Sequence, residues 1–131
     1  MNALGYHMLM EIKDCNREKL NDVKEIERIL VKAAGEAGAT VVEKAFHQFN
    51  PHGVSGVVII AESHLFVHTW PEYGYAAVDI FTCGESLRAD KAAEWITKEL
   101  GSTNYSLMEL RRGVFPGASN IAHKPQPVAI S

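Results

Sequence analysis

Apolar and polar residues alternate at the start of the chain. Residues 5–14, GYHMLMEIKD, put Tyr6, Met8, Met10 and Ile12 on every second position, which predicts a strand with one buried face. The period then becomes helical. Leu20, Val23, Ile26, Ile29, Leu30, Ala33, Ala34 and Ala37 fall on one face of a single helix, with Asn16 as its cap and Gly38 as its stop. Residues 39–49 return to strand composition, and NPHG at 50–53 is a turn. Residues 54–61, VSGVVIIA, are apolar on both faces and predict a central strand. Two further strands, 64–70 and 75–83, flank PEYG. A second helix over about 87–100 carries Leu87, Ala92, Trp95, Ile96 and Leu100 and ends at Gly101; residues 105–110 form a last strand.

Many strands with only two helices do not suit a parallel, doubly wound sheet. The pattern predicts an α/β (α+β) two-layer sandwich, a mostly antiparallel sheet with two helices on one face. One domain spans residues 1–112. The remainder, 113–131, contains Pro116, Pro125 and Pro127 and reads as an extended or disordered tail.

A hairpin turning at 71–74 pairs Trp70 with Tyr75, and therefore His68 with Ala77 and Glu62 with Cys83. Because strand side chains alternate, His64, Phe66, His68 and Trp70 then share a face with Tyr75, Ala77, Asp79, Phe81 and Cys83. Leu65, Val67, Ala76, Val78 and Ile80 make the other face, which suits a helix-covered core. An uncovered face this rich in aromatic and polar groups calls for a ligand, a second subunit, or both.

Composition narrows the function. With 131 residues, 47% of them hydrophobic, the chain can bury one sizeable core. A net charge of −3 gives no electrostatic reason to expect nucleic acid or an anionic membrane as partner. The longest apolar run, 57–61, is far too short to span a bilayer. The N-terminal stretch lacks the basic leader and apolar core of a signal peptide. Cys15 and Cys83 are expected as free thiols of a cytoplasmic protein.

Taken singly, the polar residues of AESHLFVHTWPE, 61–72, have plain explanations. A lone strand histidine is usually a satisfied structural group, and a buried cysteine an inert small hydrophobe. His47, His52, His64 and His68 lack an accompanying Cys/carboxylate motif, so no metal is expected. There is no G-x-S-x-G elbow for a serine hydrolase. The joint pattern says more.

GVSGVVIIAESHLFVHTWPEYGYAAVDIFTCGE, residues 53–85, resembles the short bacterial and archaeal class of S-adenosylmethionine decarboxylases nearly throughout. Weaker similarity runs from LGYH at residue 4 through FHQFNPHG at 46–53 to about residue 112. ESH, HTWPE and FTCG at these spacings make a specific combination. Ala61 and Phe66 stand where small hydroxyl residues are common in the family.

The resemblance implies a self-made pyruvoyl cofactor. The Ser63 hydroxyl attacks the Glu62 carbonyl, His68 removes the Ser63 α-proton, and elimination and hydrolysis leave a β chain and a pyruvoyl-capped α chain. Ser55 matches a residue that assists this processing. The pyruvoyl carbonyl then forms a Schiff base with S-adenosylmethionine, and Cys83 matches the proton donor after decarboxylation. Glu72 matches a ribose-binding carboxylate, Phe49 an adenine-stacking ring, and Glu11 is a further candidate substrate contact. The family fold is a two-layer sandwich, and its short members are homodimers of αβ protomers with sites at the sheet interface. Relatives that decarboxylate arginine or ornithine are the alternative among enzymes. An inactive regulatory subunit of a paralogue is the alternative outside them, and retention of Ser63, His68 and Cys83 counts against it.

Overall fold

A computed structural model describes residues 3–61, 63–83 and 87–115. Glu62, on one side of the expected cleavage point, lies outside them, as does the tail from residue 116. The elements are β1 (Ala3–Lys13), α1 (Arg17–Leu20), α2 (Val23–Glu36), β2 (Val41–Gln48), β3 (Val54–Ile60), β4 (Ser63–Trp70), a 3₁₀ turn (Pro71–Tyr73), β5 (Tyr75–Thr82), α3 (Ala89–Glu99) and β6 (Asn104–Val114). The six strands form one antiparallel sheet in the order β2-β3-β4-β5-β1-β6.

The two main helices pack on one face, as the pattern predicts. Ile26, Ile29, Leu30, Ala33, Ala92 and Ile96 meet Met10, Val58, Leu65, Val67, Val78 and Ile80 in a single core. Arg28 ties the helices together, reaching Glu25 at 2.7 Å within α2 and Glu99 at 2.8 Å at the end of α3. Such exposed pairs contribute little beside the apolar core.

Three elements differ from the pattern. The single helix expected from Asn16 to Gly38 is broken at residues 21–22. Asn16 caps α1 by accepting from the Lys19 amide, and Asp22 caps α2 by accepting from the Lys24 and Glu25 amides. The break puts Asn21 Oδ1 within 2.9 Å of the Gly53 amide, securing the 50–53 turn. β3 is one strand in from the edge, and Ile59 on its open face stays 42% exposed. The last strand, expected over 105–110, runs to Val114 and crosses the boundary placed at residue 112.

Close packing fixes Gly56. A Cβ there would lie 2.0 Å from Phe46 Cδ2, a ring stacked across the β2–β3 pair. Gly56→Ala is expected to destabilise the fold by about 1–3 kcal/mol through forced movement of Phe46, read as a lowered urea midpoint.

Candidate active site

The β4–β5 register is the expected one, with Trp70 opposite Tyr75, His68 opposite Ala77 and His64 opposite Phe81. Neighbouring strands extend these pairs into rows on the open face. One row runs His47, Ser55, His68, Ala77, Glu11, Ser106; another, four residues along, runs Glu43, Ile59, His64, Phe81, His7, Leu110.

At one end, Ser55 Oγ and His68 Nδ1 are 2.8 Å apart. A hydroxyl can donate or accept, so with the proton on Nδ1 the serine accepts it and leaves Nε2 as a free base. The imidazole stacks on Phe66, with centroids 4.9 Å apart. A cavity of about 350 Å³ opens here, lined by Phe49, His52, Ser55, His68, Trp70 and Glu72 among others. Phe49 is 48% exposed, its ring touching His47 edge-on at 4.6 Å. His52 Nε2 lies 3.0 Å from Glu72 Oε2. Glu72's own backbone amide, and then His52, hold its carboxyl below the usual range. The floor is pinned by Thr69 Oγ1, which donates to the Leu20 carbonyl at 2.7 Å and accepts from the Val54 amide at 2.9 Å.

Glu11 shares the His68 row but not this cavity. Its carboxylate accepts from the Tyr75 hydroxyl and lines a separate recess with Lys13, Tyr73 and Ser106. Burial, and then Glu11, pushes the Tyr75 phenol up to about 12.

Ser63 lies at the other end. It is 5% exposed, and its hydroxyl accepts from the Cys83 amide at 3.2 Å. The residue also lines a cavity of about 660 Å³ with His64, Phe81 and Arg112. His64 stacks on Phe81 at 5.6 Å, and His7 stands edge-on to both. Burial, and then His7, depresses the His64 pKa, so this imidazole is neutral at neutral pH. Neither cysteine forms a disulfide, as expected, but the two differ in setting. Cys15 is buried, and desolvation with Asp14 raises its pKa to about 11; Cys83 is half-buried beside Ser63.

Apart from Glu11, the described site residues therefore fall into two groups. Ser63 and Cys83 adjoin, while Ser55, His68, Phe49 and Glu72 surround another cavity. His68 is five steps along the strand from Ser63, about 17 Å at the ~3.3 Å rise of a strand. Within one chain His68 cannot reach the Ser63 α-carbon. His52 and Arg112 join these cavities without having been expected there. Arg112 was hidden because the last strand was ended too soon; continuing its alternation past residue 110 places Arg112 on the open face.

Among the described residues no three His, Cys, Asp or Glu side chains cluster as a metal site would require, and no helix is long and apolar enough to cross a membrane.

The profile of the S-adenosylmethionine decarboxylase family matches residues 6–113. The S-adenosylmethionine decarboxylase proenzyme of Thermodesulfovibrio yellowstonii is 53% identical over 114 residues, covering 87% of this chain and 84% of that one. The proenzyme of Carboxydothermus hydrogenoformans is 54% identical over 114 residues, covering 87% and 90%. The crystal structure of the Aquifex aeolicus adenosylmethionine decarboxylase superposes with a TM-score of 0.82 at 34% identity, covering 92% of this chain and 100% of that one. With a family profile spanning most of its length and relatives at this identity, the chain belongs to the S-adenosylmethionine decarboxylase family.

Proposed function

We propose that this protein converts Ser63 into a pyruvoyl group and decarboxylates S-adenosylmethionine to S-adenosylmethioninamine, in active sites each built from two chains. The observation that carries the two-chain reading is distance along β4: buried Ser63, bonded to the Cys83 amide, lies at one end, and the Ser55–His68 pair lies on the open sheet face toward the other. The residues fit the cofactor: the precursor hydroxyl is buried, held by the Cys83 amide, and lies at the wall of a cavity large enough for part of a nucleoside substrate.

In processing, Ser63 Oγ attacks the Glu62 carbonyl and converts the amide into an ester. His68 of the partner chain takes the Ser63 α-proton. The Glu62 carboxylate leaves, and the dehydroalanine residue tautomerises and hydrolyses with loss of ammonia. Ser55, accepting from Nδ1–H, orients the base. The resulting pyruvoyl carbonyl supplies the electron sink for loss of the substrate carboxylate.

Glu72, steadied by His52, accepts hydrogen bonds from the ribose hydroxyls, and the exposed Phe49 ring stacks on adenine. This pairing favours a nucleoside substrate over arginine or ornithine. Glu11, already engaged by Tyr75, is assigned an outer contact. Cys83, half-buried next to Ser63, delivers the proton to the substrate α-carbon. Isologous packing of the open faces would cover Ile59, Met108 and Leu110, which are 42%, 60% and 45% exposed in the single chain. Light scattering of the processed protein tests this packing, and a fully active single αβ protomer would overturn it.

Cys83→Ala is expected to cleave and yet to turn over about 10²–10⁴-fold more slowly, the usual scale for loss of a positioned acid. The checks are decarboxylated product by chromatography and the mass of the α-chain N-terminal peptide. Conversion of that terminus to alanine would report protonation on the wrong carbon. Full turnover by cleanly processed Cys83→Ala would remove Cys83 from the mechanism.

A further inference from the structure

The cavity that holds Ser63 contains a cation with no task in the processing or proton-transfer steps. Arg112 pairs with Gly5 across β1 and β6. A Cβ on Gly5 would lie 2.4 Å from Phe81 Cζ, so only the missing side chain lets the Phe81 ring extend over β1. The Arg112 guanidinium sits above that ring, 5.8 Å from its centroid. Gly113, at φ +68° and packed on Leu4, ends the run at a position where a side chain would collide. Glycine, ring and guanidinium thus form a built arrangement at one wall of the cavity.

Among the described residues lining that cavity, Arg112 carries the only fixed charge. Among the described residues no carboxylate forms an ion pair with it; Asp79, on the same face, is 3.9 Å from His7 Nε2 instead. An arginine over an aromatic face, open to a cavity and lacking an anion, is suited to bind a planar carboxylate through its fork of N–H donors.

We propose that Arg112 binds the α-carboxylate of S-adenosylmethionine, and so makes the site prefer the amino acid over the amine formed from it. The inference rests on the proposed function. A substrate joined through its amino nitrogen at the Ser63 position has its carboxylate only two bonds away, within the same cavity. Loss of carbon dioxide removes the anion and leaves a more cationic product facing the guanidinium, which favours release. Because the contact stabilises the charged carboxylate, it aids capture rather than bond cleavage.

Wild type, Arg112→Gln and Arg112→Lys are compared after intact mass has established processing. The KM for S-adenosylmethionine should rise about 10- to 100-fold in Arg112→Gln, the scale of a lost charge-assisted pair, with kcat unchanged or raised. The Kd for S-adenosylmethioninamine, measured by calorimetry, should stay within about twofold or tighten, since that ligand has no carboxylate. Arg112→Lys should fall between. Parallel loss of affinity for both ligands, no change for either, or a fall in kcat alone overturns the assignment. Where Arg112→Gln is not processed, Arg112→Lys is read by the same ratio, and an equal shift in KM and Kd is fatal. A wild-type protein that does not decarboxylate S-adenosylmethionine rejects the proposed function itself, before any variant is compared.

Discussion

Ser63→Ala is expected to remain one full-length chain without decarboxylase activity, whereas the wild type separates into residues 1–62 and 63–131. The variant loses the hydroxyl that the proposed acyl shift requires, that of the residue following Glu62 in the chain. The fold should survive: in the described residues that hydroxyl makes one bond, from the Cys83 amide at 3.2 Å, so its loss costs about 1 kcal/mol. Ser63 carries no core volume beyond one oxygen, and the neighbouring core residues Ile60 and Leu65 are untouched. Failure to cleave would therefore be chemical rather than structural. Intact mass resolves the two wild-type chains, and the α chain should lack a free amino terminus. A variant that still cleaves at this bond, or a wild type that stays whole while decarboxylating substrate, would remove Ser63 as cofactor precursor.

Local signals in the sequence carry the fold further than they carry the site. Alternation in residues 64–70 and 75–83, with a four-residue turn between, is enough to set the hairpin register, and hence which face holds His64 and His68. Two helical faces among many strands imply one covered and one open side. The break at Asn21 and Asp22 was hidden because Leu20 and Val23 keep the helical period across it; the long-range partners, the Gly53 amide and the Thr69 hydroxyl, are not visible locally. Insertion of β1 between β5 and β6 is likewise a tertiary result, and it is what brings Gly5 and Arg112 beside Phe81.

The motif residues could be read one by one, but motif spacing does not say that they share a cavity. Ser63 and His68 lie close in sequence because both are on β4, and for the same reason they are held apart: an extended strand separates residues more than any other element. The same rigidity means that no local adjustment can close the gap while β3, β4 and β5 remain paired.

A mixed dimer decides whether the gap is closed between chains. His68→Ala alone should stall cleavage, perturbing the surroundings little because His68 is exposed and its described hydrogen bond is to Ser55. Ser63→Ala alone should also stay whole. When the two variants are co-expressed with different affinity tags and the doubly tagged species is isolated, one of its two sites should be complete. That site joins the intact Ser63 of the His68→Ala chain to the intact His68 of the Ser63→Ala chain. The His68→Ala chain should then be cleaved in the mixed species and remain whole in its own homodimer. The other chain should stay whole in both. With one good site in two, S-adenosylmethionine turnover should approach half the wild-type value per dimer, since the restored site has its own Cys83 and the partner's Phe49 and Glu72. If His68 served Ser63 of its own chain, neither chain of the mixed species could be cleaved, because each lacks one of the two groups. An uncleaved mixed dimer would therefore refute the two-chain site, whereas cleavage confined to the His68→Ala chain can arise only through the partner's histidine.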